Sequence, residues 1–239
     1  RSLAFRLDFQ APDRTLTGTA AGVYFGTGSG VGDVNADGYD DLCVGAYGTS
    51  GNQGSAYIYL GSSAGVSATA SRTLSGPAAN SYFGLRCVGL GDTNADGYAD
   101  LAVSSQGYSS YTGQVQVFNG SSAGIGATAS VTLTGPSSSS QFGLGLGGAG
   151  DYDQDGYDDL VVGAPQYTGN NGTVRLYYGS ASGISSSYGA NIVASSYSYL
   201  GYAVAGAGDV NGDVADDVFA GAIQYSSYRG AAYLYQGRA

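Results

Sequence analysis

A segment rich in aspartate recurs four times along the chain, and this recurrence constrains the fold more than any other feature. The first copy, Asp-Val-Asn-Ala-Asp-Gly-Tyr-Asp-Asp-Leu, begins at Asp33, and the others begin at Asp92, Asp151 and Asp209. Successive copies therefore start 59, 59 and 58 residues apart. A fixed period of this length indicates a repeat protein in which each unit is one supersecondary structure. We predict four repeats, at about 14–72, 73–131, 132–190 and 191–239, with an extra N-terminal segment at 1–13.

Each repeat carries four short runs rich in Val, Leu, Tyr and Thr, separated by Gly, Ser and Asn. Such runs are typical of β-strands joined by turns. No segment has apolar residues at helical spacing, and the 43 glycines among 239 residues disfavour helices. The sequence predicts an all-β fold, a β-propeller of four-stranded antiparallel blades that forms a single domain over 1–239.

The two ends of the chain suggest how the ring closes. The chain starts with a fourth-strand segment, Arg14–Gly18, and ends with a third strand, Ala231–Tyr235. We therefore predict that the N-terminal segment supplies the outer strand of the last blade and leaves no open edge. Small residues in the first strands, such as those at 28–30, suit a narrow axis and favour a self-closed four-bladed monomer. A homodimer sharing one eight-bladed ring, and a fragment of a longer propeller, are the alternatives.

The acidic segments have the pattern of a cation-binding loop. Asp or Asn at positions 1, 3, 5 and 9 places oxygen atoms on alternate residues, the carbonyl of position 7 adds another, and glycine at position 6 permits the turn. An all-oxygen shell of this kind suits Ca²⁺ better than Mg²⁺, so we predict about four Ca²⁺, one per repeat. The predicted ligands, with the position-7 residue contributing its carbonyl, are Asp33, Asn35, Asp37, Tyr39 and Asp41; Asp92, Asn94, Asp96, Tyr98 and Asp100; Asp151, Asp153, Asp155, Tyr157 and Asp159; Asp209, Asn211, Asp213, Ala215 and Asp217.

The fourth loop departs from this pattern, because Val214 replaces the glycine at position 6. The fourth site is therefore the least secure of the predicted set. Solvated Asp and Asn turns without a metal are the alternative for all four loops.

Charge and composition exclude several functions. Sixteen of the eighteen acidic residues lie in the four loops, and only Asp8 and Asp13 lie elsewhere. The net charge of −10 excludes nucleic acid as a natural partner. The chain has no histidine, which excludes Ser-His-Asp and Cys-His catalysis. A glycosidase needs two carboxylates flanking a bond, and the sequence has no evident pair outside the loops, so we predict that the protein is not an enzyme.

Two further residue types call for an interpretation. Cys43 and Cys87 stand where the other repeats have apolar residues, which predicts buried free thiols, with a bridge between adjacent blades as the alternative.

Tyrosines beside Ser, Gln and Asn in the loops between second and third strands predict a face that binds a protein or a glycan, with simple solvated loops as the alternative. These tyrosines are Tyr47, Tyr108, Tyr111, Tyr167, Tyr225 and Tyr228.

The order of motifs resembles the FG-GAP repeat, which occurs in the head propeller of integrin alpha subunits and in many bacterial surface and secreted proteins. The resemblance rests on Phe25-Gly26, on the acidic segments and on Val162–Pro165, and it covers 14–237. Two departures are Ser104–Gln106 in place of Gly-Ala-Pro and Leu200 in place of Phe. The integrin head also has seven blades, whereas this chain encodes four.

The resemblance implies a propeller that holds Ca²⁺ between the first and second strands of each blade, in an extracellular setting. We accordingly expect a calcium-stabilised, secreted or cell-surface recognition and adhesion propeller. It would bind a protein or glycan ligand, perform no chemistry and not insert into a membrane. The alternative is the propeller module of a polysaccharide-acting lyase or hydrolase, because FG-GAP repeats are also attached to such enzymes.

Overall fold

The computed structural model describes residues 14–238, which form four antiparallel sheets, called blades 1 to 4 below. Blade 1 contains β1 (Phe25–Gly32), β2 (Asp41–Ala46), β3 (Ser55–Tyr59) and β4 (Arg72–Ser75). Blade 2 contains β5 (Phe83–Gly91), β6 (Asp100–Ser105), β7 (Gln114–Phe118) and β8 (Val131–Thr134). Blade 3 contains β9 (Gly145–Gly150), β10 (Asp159–Ala164), β11 (Thr173–Tyr177) and β12 (Ala190–Val193). Blade 4 contains β13 (Leu200–Gly208), β14 (Asp217–Ala222) and β15 (Ala231–Tyr235).

Strands pair in chain order within each blade, as in β1-β2-β3-β4, and every pairing is antiparallel. The inner strands β1, β5, β9 and β13 contact one another in succession. The prediction of an all-β propeller architecture built from such blades is confirmed. The extra segment predicted at 1–13 lies outside the described residues.

Three apolar cores lie between consecutive blades rather than within any one of them. The core between blades 1 and 2 contains Ile58 from blade 1 and Phe83 and Leu101 from blade 2. Similar cores join blade 2 to blade 3 and blade 3 to blade 4. A second strand such as β6 or β10 is therefore covered on both faces, and all six of its residues are buried. This explains why the apolar residues of these strands are consecutive, as in Leu101–Val103 and Leu160–Val162, and do not alternate with polar ones.

The last blade differs from the prediction. Among residues 14–238 it has three strands, and Arg14–Gly18 has no strand conformation and does not pair with β15. Gly18 instead lies against Val23 and Phe25 at the start of blade 1, as Gly76 lies against Phe83. Arg14–Gly18 therefore lies beside β1, the strand that follows it in the chain. Pairing with β15 would require blade 4 to reach blade 1, and β1 and β13 share no contact comparable to those of successive inner strands.

The described residues consequently form an open arc of blades and not the self-closed ring expected for a monomer. The outward faces of blades 1 and 4 are both partly exposed to solvent. On β15, for example, Leu234 is 49% exposed, whereas Ile58 at the same position of β3 is fully buried. Among residues 14–238, neither face has a neighbouring blade to form the other half of an apolar core.

Short helical turns connect the second and third strands of every blade. They are α1 (Thr49–Asn52), α2 (Tyr108–Tyr111), α3 (Tyr167–Asn170) and α4 (Tyr225–Tyr228). Their inner residues have left-handed backbone angles, with φ of +49° at Ser109, +57° at Ser110 and +61° at Tyr111 in α2. L-residues avoid this region because the Cβ atom approaches the following carbonyl, so each turn is locally strained.

Candidate metal loops and an aromatic row

Two sets of candidate functional residues lie at opposite ends of the blades. The acidic loops connect first strands to second strands, and α1 to α4 connect second strands to third strands. Because consecutive strands are antiparallel, these two kinds of connection emerge at opposite ends of a blade. The predicted metal loops and the predicted tyrosine face are therefore separate surfaces.

The aspartate at position 1 organises the backbone of its loop in the same way in every blade. The Oδ1 and Oδ2 atoms of Asp33 accept hydrogen bonds from the N–H groups of Asp37 and Gly38, at 3.1 and 2.7 Å. Asp92, Asp151 and Asp209 repeat both bonds in their own loops. The loop is thereby closed around a small space into which side-chain oxygens can point.

The third loop brings three carboxylates together. One oxygen from each of Asp151, Asp153 and Asp155 lies within 4.8 Å of the others, which is compatible with a shared cation. Burial raises the pKa of Asp153, and the charges of Asp155 and Asp151 raise it further. Asp153 Oδ1 is buried and has no hydrogen-bond partner. A bound cation would satisfy this oxygen and offset the repulsion, so the residues present fit the predicted ion.

The other loops carry asparagine at position 3, and its amide takes a different role. Asn35 Nδ2 donates to Asp37 Oδ2 at 3.0 Å, and Asn94 and Asn211 make the matching bonds to Asp96 and Asp213. These bonds link positions 3 and 5 without any metal. The chain thus contains two kinds of acidic loop. In three of them an amide links positions 3 and 5, and in the third loop position 3 has an unpaired carboxylate oxygen.

The aspartate at position 9 has a structural role that the sequence analysis missed. Asp41 is buried, its Oδ2 accepts the N–H of Val34 at 2.9 Å, and its Oδ1 accepts the N–H of Gly61 at 2.8 Å. Asp100, Asp159 and Asp217 make the equivalent pair of bonds. This carboxylate therefore braces the acidic loop against the chain that leaves the third strand, and its further role as a metal ligand stays a prediction.

Burial and backbone donors shift the acidity of these carboxylates in opposite directions. Burial raises the pKa of Asp159 to about 7, against the effect of its N–H donors. At Asp209 the N–H of Val214 is the largest of several causes that lower the pKa. Asp159 is thus a desolvated acid, whereas Asp209 is an exposed carboxylate held by the backbone.

The fourth loop shows why glycine suits position 6. Gly38, Gly97 and Gly156 have φ between +88° and +90°, and Val214 takes the same left-handed region with φ of +82°. A β-branched residue is strongly disfavoured there. The Val214 side chain is 81% exposed and gains no packing in return.

At the opposite end, four tyrosine rings form a row across blades 1 and 2. Tyr24 stacks on Tyr47 with 4.9 Å between ring centroids, Tyr47 meets the edge of Tyr82 at 6.3 Å, and Tyr82 stacks on Tyr111 at 6.3 Å. The nearby Tyr111 hydroxyl raises the pKa of Tyr82. Tyr24 and Tyr111 are 59% and 44% exposed. We call Tyr24, Tyr47, Tyr82 and Tyr111 the tyrosine row.

The remaining predicted tyrosines do not join this row. Tyr108 is half-buried, Tyr167 packs on the core between blades 2 and 3, and Tyr225 contacts the ring edge of Tyr233. Tyr228 is 74% exposed in α4. Tyr24 and Tyr82 were missed by the sequence analysis, although their place directly before Phe-Gly was a usable signal.

Cys43 and Cys87 are both buried and both free, in the core between blades 1 and 2. A hydrogen bond with Cys87 is the largest cause of a strongly raised pKa at Cys43, and burial adds to it. The two thiols are therefore neighbours across the joint between blades 1 and 2. This matches the expected buried thiols, and it also places the two partners of the alternative bridge close together.

No helix in the range 14–238 is long and apolar enough to cross a membrane.

Comparisons with known proteins find similar repeats in two parts of the chain. The FG-GAP-like repeat family matches residues 33–103, and the FG-GAP repeat family matches residues 142–177. The chain is 39% identical over 168 residues to integrin alpha-IIb of Mus musculus, covering 65% of this chain and 16% of that protein. It is 35% identical over 162 residues to integrin alpha-7 of Homo sapiens, covering 64% of this chain and 13% of that protein. The predicted resemblance is confirmed, and the chain spans less than a fifth of the length of either relative.

Proposed function

Because this chain carries FG-GAP repeats like those of integrin alpha subunits, we propose that it is an extracellular recognition propeller that binds a protein or glycan ligand and performs no chemistry. The tyrosine row is the observation that carries this proposal. It offers continuous, partly exposed aromatic surface across two blades, at the end of the blades away from the acidic loops. Tyrosines supply large contact area at a low cost in conformational entropy.

The backbone beneath the row supports a binding role. Tyr24 and Tyr82 have φ of +51° and +55°, and Tyr111 has φ of +61°. The same left-handed angle recurs at Gln141 and Tyr199 in blades 3 and 4, so the repeat itself holds this backbone conformation. Holding the rings in advance reduces the ordering required when a ligand binds.

We further propose that the acidic loops bind Ca²⁺ as structural ions. Position-1, position-3 and position-5 side chains would hold the ion, with the carbonyl of position 7 and the carboxylate of position 9 completing the predicted shell. Bound Ca²⁺ supplies positive charge to loops that hold nearly all the acidic residues of the chain. The carboxylates at positions 1 and 9 accept backbone hydrogen bonds within the loops, which supports a structural role for them in a binding module over a role in a lyase or hydrolase.

A binding test on a glycan array and on an array of extracellular proteins addresses the ligand face. We expect at least one array to give a specific, saturable signal that Tyr111→Ala lowers at least tenfold. Tyr188→Ala is the control, because Tyr188 is 46% exposed and lies in the connection between β11 and β12 of blade 3, outside the row. Equal loss in both variants, or no loss in either, would contradict the assignment. Turnover of a polysaccharide panel would contradict the non-catalytic role.

A further inference from the structure

We propose that a groove between blades 2 and 3 binds an acidic saccharide, with the Arg175 guanidinium holding the carboxylate of the sugar. The groove has a volume of about 520 Å³. It is lined by residues 132–134 of β8, by Arg175 and Tyr177 of β11, and by residues 186–188 of the connection between β11 and β12. We call it the arginine groove. It shares no residue with the tyrosine row or with the acidic loops, and the proposal does not depend on the ligand of the row.

Two residues of the arginine groove depart from the repeat together. Arg175 is the middle residue of a third strand, and its place is taken by Tyr57, Gln116 and Tyr233 in the other blades. Tyr188 stands where blades 1 and 2 both have alanine, one residue before the matching backbone hydrogen bond to the third strand. Blades 1 and 2 form the same sheet without either side chain, so the fold does not require this pair.

The two side chains form a stacked pair. The central guanidinium carbon of Arg175 lies 4.5 Å from the centroid of the Tyr188 ring. Tyr188 meets Tyr177 edge-on, with 6.4 Å between the ring centroids. The N–H of Gly189 donates to the carbonyl of Leu176 at 2.9 Å, which ties this segment to β11. Stacking uses the flat face of a guanidinium and not the N–H groups in its plane. The pair therefore holds Arg175 in position without using its hydrogen-bond donors.

Arg175 also lacks an internal acceptor for one of these donors. Its Nε atom is buried and has no hydrogen-bond partner among residues 14–238. Asn191 lies opposite Arg175 in the strand pair, but its Oδ1 atom accepts from the Thr173 hydroxyl at 2.7 Å. The acidic residues in the same range all belong to the four loops, so none lies on the walls of the groove. A buried charged donor without an acceptor is unfavourable, and a ligand oxygen would supply the acceptor.

The chemistry of the groove indicates the class of ligand. The planar fork of a guanidinium matches the two oxygens of a carboxylate, and one guanidinium balances its single charge. The hydroxyl groups of Ser186 and Ser187 are exposed, and each can donate and accept hydrogen bonds. β8 is the outermost described strand of blade 2, so its outward backbone groups can also bind hydroxyls. A wall of this kind suits a sugar, and the volume is typical of small-molecule sites.

Isothermal titration calorimetry of the full chain with glucuronate and galacturonate disaccharides tests the inference. The methyl ester of each sugar is its uncharged counterpart. We expect saturable binding of at least one acid, and about tenfold weaker binding of its ester, because the ester has no charge to pair with Arg175. Arg175→Gln should lower the affinity for the acid by about tenfold as well. This variant has the glutamine that blade 2 carries at the same place, so the sheet should still form.

The matched control is Arg229→Gln, which removes the same charge from an exposed residue directly after α4. It should bind the acid as wild type does. Circular dichroism and the melting temperature show whether each variant keeps the fold. Arg175→Lys is a second variant, which keeps the charge without the planar fork and should also bind the acid less tightly.

Four outcomes would overturn the proposal. They are equal binding of acids and esters, an affinity that neither Arg175 variant changes, equal loss in Arg229→Gln, and no binding of any of the sugars. Tighter binding of a tri-aspartate peptide would assign the groove to an acidic peptide and overturn it too. The result is distinguishable from that of the tyrosine row, whose array signal is lowered by Tyr111→Ala. Tyr188→Ala removes the ring that holds Arg175 and should weaken only the binding of the acidic sugar.

Discussion

The Oδ2 atom of Asp158 in blade 3 accepts a hydrogen bond from the backbone N–H of Asp92 in blade 2, at 2.8 Å. The N–H of Asp158 returns a bond to the carbonyl of Asp92 at 3.2 Å. Asp92 is also the position-1 residue of its loop, so the joint between blades and the predicted metal site share one residue. Folding of one loop is therefore coupled to packing of the next blade.

Removing the Asp158 carboxylate should weaken the joint between blades 2 and 3. We expect Asp158→Ala to reduce the free energy of unfolding by about 1–2 kcal/mol, because the Asp92 N–H loses a charged acceptor. Asp158→Asn keeps an acceptor oxygen and should lose less. Urea denaturation followed by circular dichroism measures both changes, and equal stability of Asp158→Ala and wild type would show that the bond contributes nothing.

Replacing the valine in the fourth loop should stabilise it. Val214 has φ of +82° and is 81% exposed, so Val214→Gly relieves backbone strain without losing packing. We expect a gain of about 1 kcal/mol in the free energy of unfolding. The reverse change in the third loop, Gly156→Val, should lower stability by a similar amount. Thermal unfolding of both variants tests this, and a less stable Val214→Gly would contradict it.

A variant of the third loop tests how carboxylate repulsion and bound metal each affect the stability of the protein. Asp153→Asn reproduces the asparagine of the other loops, whose amide bonds the position-5 carboxylate. Without metal we expect this variant to be more stable than wild type by roughly 1 kcal/mol, because a buried unpaired oxygen is removed. With excess Ca²⁺ the variant should gain less than wild type does. Melting curves in chelator and in Ca²⁺ measure both effects, and a variant that is less stable in chelator would contradict the account.

The two cysteines should be protected thiols in the folded protein. Burial and their mutual contact raise the pKa of Cys43, so the reactive thiolate is scarce at neutral pH. We expect no reaction with a thiol reagent under native conditions and two labels per chain after unfolding without reductant. Absence of labelling after unfolding would show that the two cysteines form the alternative bridge.

Much of this architecture follows from local patterns. The strand order of each blade was predictable, because the acidic loop and the alternating third strand recur at a fixed spacing. The hydrogen bonds from loop N–H groups to the aspartate at position 1 also follow from the preference of Asp for turns. Such features depend only on neighbouring residues.

Other features depend on contacts that no local pattern reveals. Serine does not favour left-handed backbone angles. The sequence therefore did not predict them at Ser109 and Ser110. Asp41 and Asp158 look like further loop carboxylates, and only the packed structure separates a brace within a blade from a link between blades. The pairing of Arg14–Gly18 with β15 was predicted from strand type alone, whereas it requires a neighbouring blade that the described arc does not provide.

Calcium dependence of unfolding is the most direct test of the central claim that the acidic loops are metal sites. We expect exhaustive chelation to lower the melting temperature and added Ca²⁺ to restore it. A ligand bound only by the folded state stabilises by about 2.7 kcal/mol per site at a hundredfold excess over Kd. Asp155→Ala should remove part of this gain and leave the rest, because the other loops keep their ligands. A melting curve that is unchanged by chelation would show that the loops are hydrogen-bonded turns and not metal sites.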